Sequence, residues 1–433
     1  MSQLILIVDD EPGILSALSN VFHDEGFETL STGSGVEALA LYGQRSPDLV
    51  FLDIWLPDRD GLETLQAIRE LDPTAAVIMM SGHGTTSTAV KSIKMGAFDY
   101  VEKPVSYDRL METVNQALEY RQSVAADSTI LDSLERTKPR VDSNFELLPP
   151  QDVPLLRRAE VPQRTIAKST VVYGLGLHSG NRTGMAIQPL PHDSGIHFVT
   201  LPTDIHIPAF VSAVAETDYA TTLADKGASI RTVEHLLSAL HAYGITNLLI
   251  KVHGEIPVLD GSALEFCGTL EEAGIRDQDR PRREVVIDRV YEVGDGAEKS
   301  LRIEPFDGFS ISYVLKYPYP IGEQSLEYSL AGAESYRQDI APARTFGFMR
   351  DLKMMNELGL ASGGRLDNCI LVGEDNVINT ELRYSDEFVR HKILDIIGDL
   401  YLLGYPIRGR VTAKLTGHRN NIALLRAILK ENT

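Results

Sequence analysis

Short apolar runs alternate with amphipathic stretches along the first 120 or so residues. Leu4–Val8, Asp48–Asp53, Ala75–Gly82 and Tyr100–Pro104 have the length and content of buried strands. Between them, Gly13–Glu25, Val36–Tyr42, Gly61–Glu70, Ser87–Met95 and Tyr107–Tyr120 repeat their apolar positions at helical spacing. Such alternation predicts a doubly wound parallel sheet whose site lies at the carboxyl ends of its strands. Polar residues fall at those ends: Asp9 and Asp10, Asp53, Ser81 and Lys103. From Gln163 onward the order changes. Gln163–Arg280 and Arg283–Leu429 each read as strands followed by helices, an α+β arrangement. The intervening stretch holds several prolines, many charges and no sustained period and reads as a linker, with a short helix near Ile130–Glu135 continuing the preceding one; an ordered arm packed across both modules is the alternative. The expected division is therefore 1–121, a linker over 122–162, then 163–282 and 283–433.

Composition narrows the classes. The 433 residues carry 41 Lys+Arg and 61 Asp+Glu, a net charge of −20. That balance argues against sequence-independent nucleic-acid binding, which requires cations to neutralise phosphates. Residues 1–125 hold 19 of the acids and 8 of the bases, so the acidity is concentrated in the first module. Two cysteines, Cys267 and Cys369, can build neither a disulfide framework nor a thiolate metal site, and both sit among apolar neighbours as expected packing residues. The opening MSQLILIVDDE reaches charge too soon for a signal peptide, and no run of about 18 apolar residues suggests a transmembrane helix. A cytoplasmic location is expected.

In the first module, three carboxylates on one sheet edge call for a cation, and oxygen ligands suit Mg²⁺. A carboxylate beside Mg²⁺ and a fixed lysine is a sensible acceptor for a phosphoryl group. VDDE, DLVFLDIWLPDRDG, MMSGHG and YVEKP together resemble the receiver domain of two-component response regulators, a flavodoxin-like (βα)5 fold. The resemblance implies that Asp53 is the phosphoacceptor and that Asp10, Asp53 and the Trp55 carbonyl hold Mg²⁺, supported by Asp9. It also implies that Ser81 and Lys103 contact the phosphoryl group, that Tyr100 is the aromatic switch, and that a sensor histidine kinase is the partner. A receiver-mediated homodimer is a further option, and His83 reads as a solvated loop residue. The wording is that of receivers preceding a sigma-54-directed ATPase. Yet the phosphate-loop string G-x-x-x-x-G-K-[ST] is absent and no helix-turn-helix is recognisable, so another output is expected.

Four strings carry the chemistry of the second module. In IRTVEHLLSAL, Thr232 can cap a helix that begins with Glu234 and His235. Alone, such a pair is commonly a surface feature. In DEFVRHKILDIIGDLYLLG, His391 and Asp395 lie one turn apart on one face, continued by Asp399, on an otherwise apolar helix. A buried His–Asp hydrogen bond would explain that string equally well. His418 follows Gly417, and ARTFGFMRDL centres on Thr345. Combined, His235, His391 and Asp395 form a two-histidine, one-carboxylate set of the kind Zn²⁺ uses in catalytic sites. Glu234 is placed to take a proton from water, His418 to give one to a leaving group, Asp399 to orient it, and Thr345 to bond a developing oxyanion. This is equipment for metal-assisted hydrolysis of an amide or ester.

With QRT, GLGLHSG, IPVLDGSA and ASGGRLDNCILV, these strings resemble the UDP-3-O-acyl-N-acetylglucosamine deacetylases of lipid A biosynthesis over about Gln163–Glu431. The resemblance implies two β-α-α-β sandwich subdomains facing a common site. It implies Zn²⁺ on His235, His391 and Asp395, Glu234 as base, His418 as acid assisted by Asp399, and Thr345 at the oxyanion. Lys392 would meet the substrate diphosphate and Phe346 would stack near its sugar or nucleotide. His178 of GLGLHSG would lie nearby without being a ligand, and that string lacks the third glycine of a dinucleotide loop. Glu265 stands where the family more often has Pro, which bears on a local turn; Ser362 and Arg365 depart from the family's wording near the acyl-chain passage, which leaves the acyl-length preference open. A signalling protein whose deacetylase-like module only binds nucleotide-sugar is the competing reading.

Overall fold

Leu4–Val8 is apolar throughout and forms β1, an interior strand of a five-stranded parallel sheet. The computed structural model describes residues 3–72, 74–81, 92, 95–103, 107, 110–111, 113–118, 121, 153–201, 203–294, 298–351, 354–355, 360, 362–364 and 368–430. It divides into two units, Met1–Glu135 and Arg136–Thr433.

In the first unit β1 is followed by α1 (Pro12–Asp24), β2 (Glu28–Thr32), α2 (Gly35–Arg45), β3 (Leu49–Asp53), α3 (Gly61–Leu71), β4 (Val77–Ser81) and β5 (Asp99–Glu102). The order is β2-β1-β3-β4-β5, all parallel. One face buries Ile5, Ile7, Phe51 and Ile78 beneath Leu110, Val114 and Ala117, which are helical positions of residues 107–121. The other buries Leu6, Val50, Leu52 and Met79 beneath Ala38, Leu65 and Ile68. Burial on both faces explains the continuous apolar runs. The edge strand β2 (ETLST) has no such run and is missed by periodicity for that reason. His83, nearly all of Ser87–Met95 and residues 122–152 of the expected linker, Ile130–Glu135 included, lie outside the described residues.

The second unit opens with β6 (Leu156–Ile166), β7 (Thr170–Leu175), β8 (Arg182–Pro189), β9 (Ile196–Thr200), β10 (Ile205–Pro208), β11 (Val214–Glu216), β12 (Thr222–Asp225) and β13 (Ala228–Ile230). Then come α4 (Glu234–Tyr243), β14 (Leu248–Val252), α5 (Leu264–Ala273), β15 (Ile275–Val286), β16 (Tyr291–Gly294), β17 (Ser300–Glu304), β18 (Phe309–Lys316) and β19 (Glu323–Ser329). It closes with α6 (Ala333–Asp339), β20 (Phe346–Phe348), β21 (Ile370–Val372), α7 (Glu387–Leu400), β22 (Ile407–Lys414) and α8 (His418–Lys430). A five-stranded sheet, β10-β9-β14-β8-β7, is built within the first half, and a seven-stranded sheet containing β16-β17-β22-β15-β6 with β18 and β19 joins β6 and β15 to the strands of the second.

Two boundaries differ from the sequence expectation. The linker was expected to run to Pro162, but β6 begins at Leu156 and pairs antiparallel with β15 through Leu156↔Val285 and Arg158↔Arg283. Its arginines and Pro162 hid a strand that is half exposed. The expected break between residues 282 and 283 falls inside β15, a single strand. One apolar core serves both halves: Leu236, Leu237 and Leu240 of α4 meet Ile393, Leu394 and Ile397 of α7 within it.

Glycine decides how closely those helices cross. A Cβ on Gly398 of α7 would sit 2.0 Å from the Glu234 carbonyl oxygen and 3.1 Å from its Cα. His241, further along α4, fixes the other end of the crossing. Its Nδ1 is 3.0 Å from the Ile397 carbonyl and its ring stacks on Tyr401 at 4.5 Å. Burial lowers that imidazole to about 4, so it donates one proton to the carbonyl as a neutral ring. Gly398→Ala forces backbone apart rather than a flexible side chain. It is expected to cost about 2–3 kcal/mol, read as a lowered melting temperature by far-ultraviolet circular dichroism. The fluorescence of Trp55, the sole tryptophan and a residue of the first unit, is expected to melt as in the wild type.

Candidate active site

The start of α4 and the inward face of α7 supply most of one cavity. Glu234, His235, His391, Asp395 and His418 line it together with Thr345, Phe346 and Lys392. Nδ1 of His391 lies 3.1 Å from the Ala343 carbonyl, which fixes the proton there and leaves the Nε2 lone pair facing inward. That Nε2 is 3.5 Å, and Nε2 of His235 3.9 Å, from Oδ1 of Asp395. The Asp395 Oδ1 atom is buried and accepts no hydrogen bond, while Oδ2 takes one from Lys392 Nζ at 2.8 Å. Three ligand atoms thus lie within 4.8 Å of one another, all on buried residues. Two neutral imidazoles around an orphaned carboxylate oxygen suit a tetrahedral N/O-binding cation. Burial lowers His235 to about 3 and depresses His391 as well, so both rings stay neutral, as ligands must. Although burial raises the Asp395 carboxyl, Lys392 and the histidines hold it well below its ordinary range.

His418 begins α8, and its Nδ1 is 2.7 Å from Asp399 Oδ2. Its Nε2 is 3.9 Å from Glu234 Oε1 and 4.0 Å from Asp395 Oδ2. Burial alone lowers this imidazole, but Asp399 and Asp395 raise it to about 10, so it carries a proton at neutral pH. Burial pushes the Glu234 carboxyl up to about 8. Lys392 Nζ stands 5.5 Å from the Phe346 ring centroid, so the cation and the aromatic face form one wall.

Several contributors were not anticipated. Thr221 bridges the acid groups: its N–H donates to Glu234 Oε2 at 3.1 Å and its hydroxyl to Asp399 Oδ1 at 2.6 Å. Asn421 donates to Asp399 Oδ2 at 2.8 Å. Asn421 stood in the His418 string and could have been read from its helical spacing, whereas TTLAD around Thr221 carries no signal. Thr232 does not cap α4. Its φ is 62°, and its hydroxyl donates to Glu255 instead. Glu255 also accepts from the His178 and Ser179 N–H groups at 2.9 and 3.0 Å, so an internal carboxylate fills the glycine-flanked loop. Cys267 is buried, whereas Cys369 is only partly so. Ser362 is described and Arg365 lies outside the described residues.

The first unit gathers its polar residues as its strand ends require. Asp9 and Asp10 follow β1, Asp53 ends β3, Ser81 ends β4 and Lys103 follows β5. Carboxylate oxygens of Asp9, Asp10 and Asp53 fall within 4.8 Å of one another. Lys103 Nζ is 2.5 Å from Asp9 Oδ2 and 3.1 Å from Asp53 Oδ1. Burial raises the Asp53 carboxyl against the opposing pull of Lys103. Asp9, Asp53 and Ser81 are buried; Asp10 is exposed. Trp55 presents its ring to solvent, and the Tyr100 hydroxyl is buried without a hydrogen-bond partner.

Fold and geometry define two classes in one chain: a parallel α/β module with an acidic, lysine-bridged edge, and an α+β module with a two-histidine, one-carboxylate pocket. The UDP-3-O-acyl N-acetylglycosamine deacetylase family profile matches residues 163–430, and the response regulator receiver domain profile matches residues 5–115. The chain belongs to that deacetylase family and carries a receiver domain before it. It is 43% identical over 272 residues to a UDP-3-O-acyl-N-acetylglucosamine deacetylase of an Anaeromyxobacter species, covering 62% of this chain and 89% of the relative. It is 43% identical over 281 residues to the enzyme of that name from Neisseria gonorrhoeae, covering 63% and 91%. Among solved structures, the receiver domain of NtrX from Brucella abortus is 46% identical over 27% of this chain and 98% of its own, with a TM-score of 0.26.

Arg344 clamps the wall of the cavity. Buried against Glu387, it donates from Nε at 2.9 Å and from the other guanidinium nitrogens to Thr380 and the Glu381 carbonyl. Its neighbours are Ala343, whose carbonyl orients His391, and Thr345. Arg344→Met leaves the Glu387 carboxylate buried and unpaired, an expected loss of about 3–5 kcal/mol in urea unfolding. Adding Glu387→Gln removes that charge and is expected to recover part of the loss.

Proposed function

We propose that the second unit hydrolyses the N-acetyl group of UDP-3-O-acyl-N-acetylglucosamine, releasing acetate in the committed step of lipid A biosynthesis. The observation that carries the reading is the orphaned Asp395 Oδ1 flanked by the Nε2 atoms of His235 and His391. Those three residues would hold Zn²⁺. A zinc ion there supplies Lewis acidity toward the acetyl carbonyl and a positive charge that favours the ionised form of Glu234. Glu234 takes a proton from the attacking water, whose oxygen bonds to the acetyl carbon. His418, charged because Asp399 backs it, protonates the departing amine nitrogen as the C–N bond breaks. Thr345 donates to the developing oxyanion, Lys392 meets the diphosphate and Phe346 packs on the sugar or nucleotide. Chelation with dipicolinate is expected to abolish acetate release and zinc to restore it. Glu234→Gln is expected to lose about 10²–10⁴-fold in kcat while keeping its zinc, measured by atomic absorption. Undiminished acetate release in Glu234→Gln would sink the assignment.

The first unit accepts a phosphoryl group on Asp53 from a sensor histidine kinase, with Mg²⁺ held by Asp10, Asp53 and the Trp55 carbonyl and supported by Asp9. Ser81 and Lys103 meet the phosphoryl oxygens, and Tyr100 reports the change. Asp53 is supported in that role because its carboxylate is buried beside a lysine that also spans to Asp9. The reading expects a cytoplasmic protein; no described helix is long and apolar enough to cross a membrane. With acetyl phosphate and Mg²⁺, the deacetylation rate of the wild type is expected to change while that of Asp53→Ala stays fixed. Equal rates in all four conditions would remove direct catalytic control.

A further inference from the structure

A second concavity lies away from the catalytic cavity. Arg157, Arg158, Arg280 and Arg283 line a groove between β6 and β15, with Asp193 as its single carboxylate. Such a concentration of positive charge is unexpected in a chain of net charge −20. Arg158 and Arg283 are directly paired across the strands, a placement that costs stability unless something neutralises it. Arg283 is 3.5 Å from Asp193, which also accepts from Gln163 at 2.8 Å. Arg158 and Arg280 have no ion pair among the described residues. Arg157 and Arg158 also precede residue 163, where the match to the deacetylase family begins, so the family's own span does not complete the groove.

The groove runs into an apolar pocket. Gln163, Asp193 and Arg283 belong to both, and Ile196, Phe210 and Tyr405 line the pocket alone. The Arg283 guanidinium carbon is 5.6 Å from the Tyr405 ring centroid, at the junction of the two parts. A guanidinium held against an aromatic ring keeps its N–H edge available to an oxyanion. One wall of the pocket is braced by internal hydrogen bonds. Asn247 accepts from the Ser194 and Gly195 N–H groups and donates to Gln163 and Gln278, so the cavity is preformed.

We infer that this groove and pocket bind a small phosphate-bearing ligand with a planar apolar group, the phosphate on Arg158, Arg280 and Arg283 and the planar group beside Tyr405 and Phe210. Bidentate guanidinium contacts suit phosphate, and a flat apolar group matches an aromatic-lined pocket. The inference stands independently of the deacetylase reading. The position has a mechanical meaning: Asn247 lies three residues beyond the α4 C-cap Gly244, and Tyr405 follows the short turn after α7. A ligand there lies beside the segments that follow both helices whose other parts line the catalytic cavity.

Phenyl phosphate and inorganic phosphate, titrated calorimetrically into the full-length protein, provide the test. Phenyl phosphate is expected to bind saturably and at least about tenfold more tightly than inorganic phosphate. Arg158→Glu with Arg280→Glu, two exposed positions, is expected to weaken phenyl phosphate by about tenfold or more and to leave acetate release without the ligand unchanged. Lys392→Ala and Asp53→Ala are expected to bind it as the wild type does. Absence of saturable binding overturns the proposal. So does binding that survives the double substitution, or that is lost in Lys392→Ala or Asp53→Ala, because the ligand then sits in another site.

Discussion

The approach of α7 to the first residue of α4 governs the second unit. With hydrogen in place of a side chain at Gly398, the helix passes against the Glu234 carbonyl, close enough to bring Asp395 and Asp399 beside Glu234 and His235. Any larger residue holds the helices apart and separates the groups that share the cavity. The crossing also explains why so many ionisable groups tolerate burial. Several are answered by neighbours: Lys392 bonds Asp395, the Ala343 carbonyl takes His391, and His418, Thr221 and Asn421 satisfy Asp399.

The first unit solves a related problem by the same means. A Cβ on Gly61 would lie 2.0 Å from the Asp53 carbonyl oxygen, so α3 can begin directly against the strand end that carries the acidic site. In both units a glycine lets a helix lie against backbone bearing a carboxylate of the candidate site. What balances the charge differs. Lys103 spans two carboxylates in the first unit, whereas in the second two neutral imidazoles leave one carboxylate oxygen unanswered.

Most of this was legible where periodicity and chemistry coincide. The parallel strands β1, β3 and β4 are apolar on both faces, and their polar ends mark the site without further knowledge. His391, Asp395 and Asp399 were readable because helical spacing aligns them on an apolar helix that could not bury them unpartnered. Partners joined only by tertiary contact were not legible. Thr221 reaches the site from a loop, the Ala343 carbonyl has no sequence identity, and Thr232 looks like a cap until its hydroxyl is seen on Glu255. Strand β6 was hidden because its charges and Pro162 imitate a linker, and its order comes from β15 beside it.

That pairing bears on where the catalytic unit can be severed from what precedes it. Cleavage at Gln163, the start of the family match, strips seven residues from β6 and uncovers the flank of β15 around Arg283–Val285. An open strand flank invites another chain to add to it, so the shortened protein would be prone to self-association. The upstream residues therefore protect a sheet edge, and the fold of the second unit reaches back to Leu156, ahead of the span that the family profile matches.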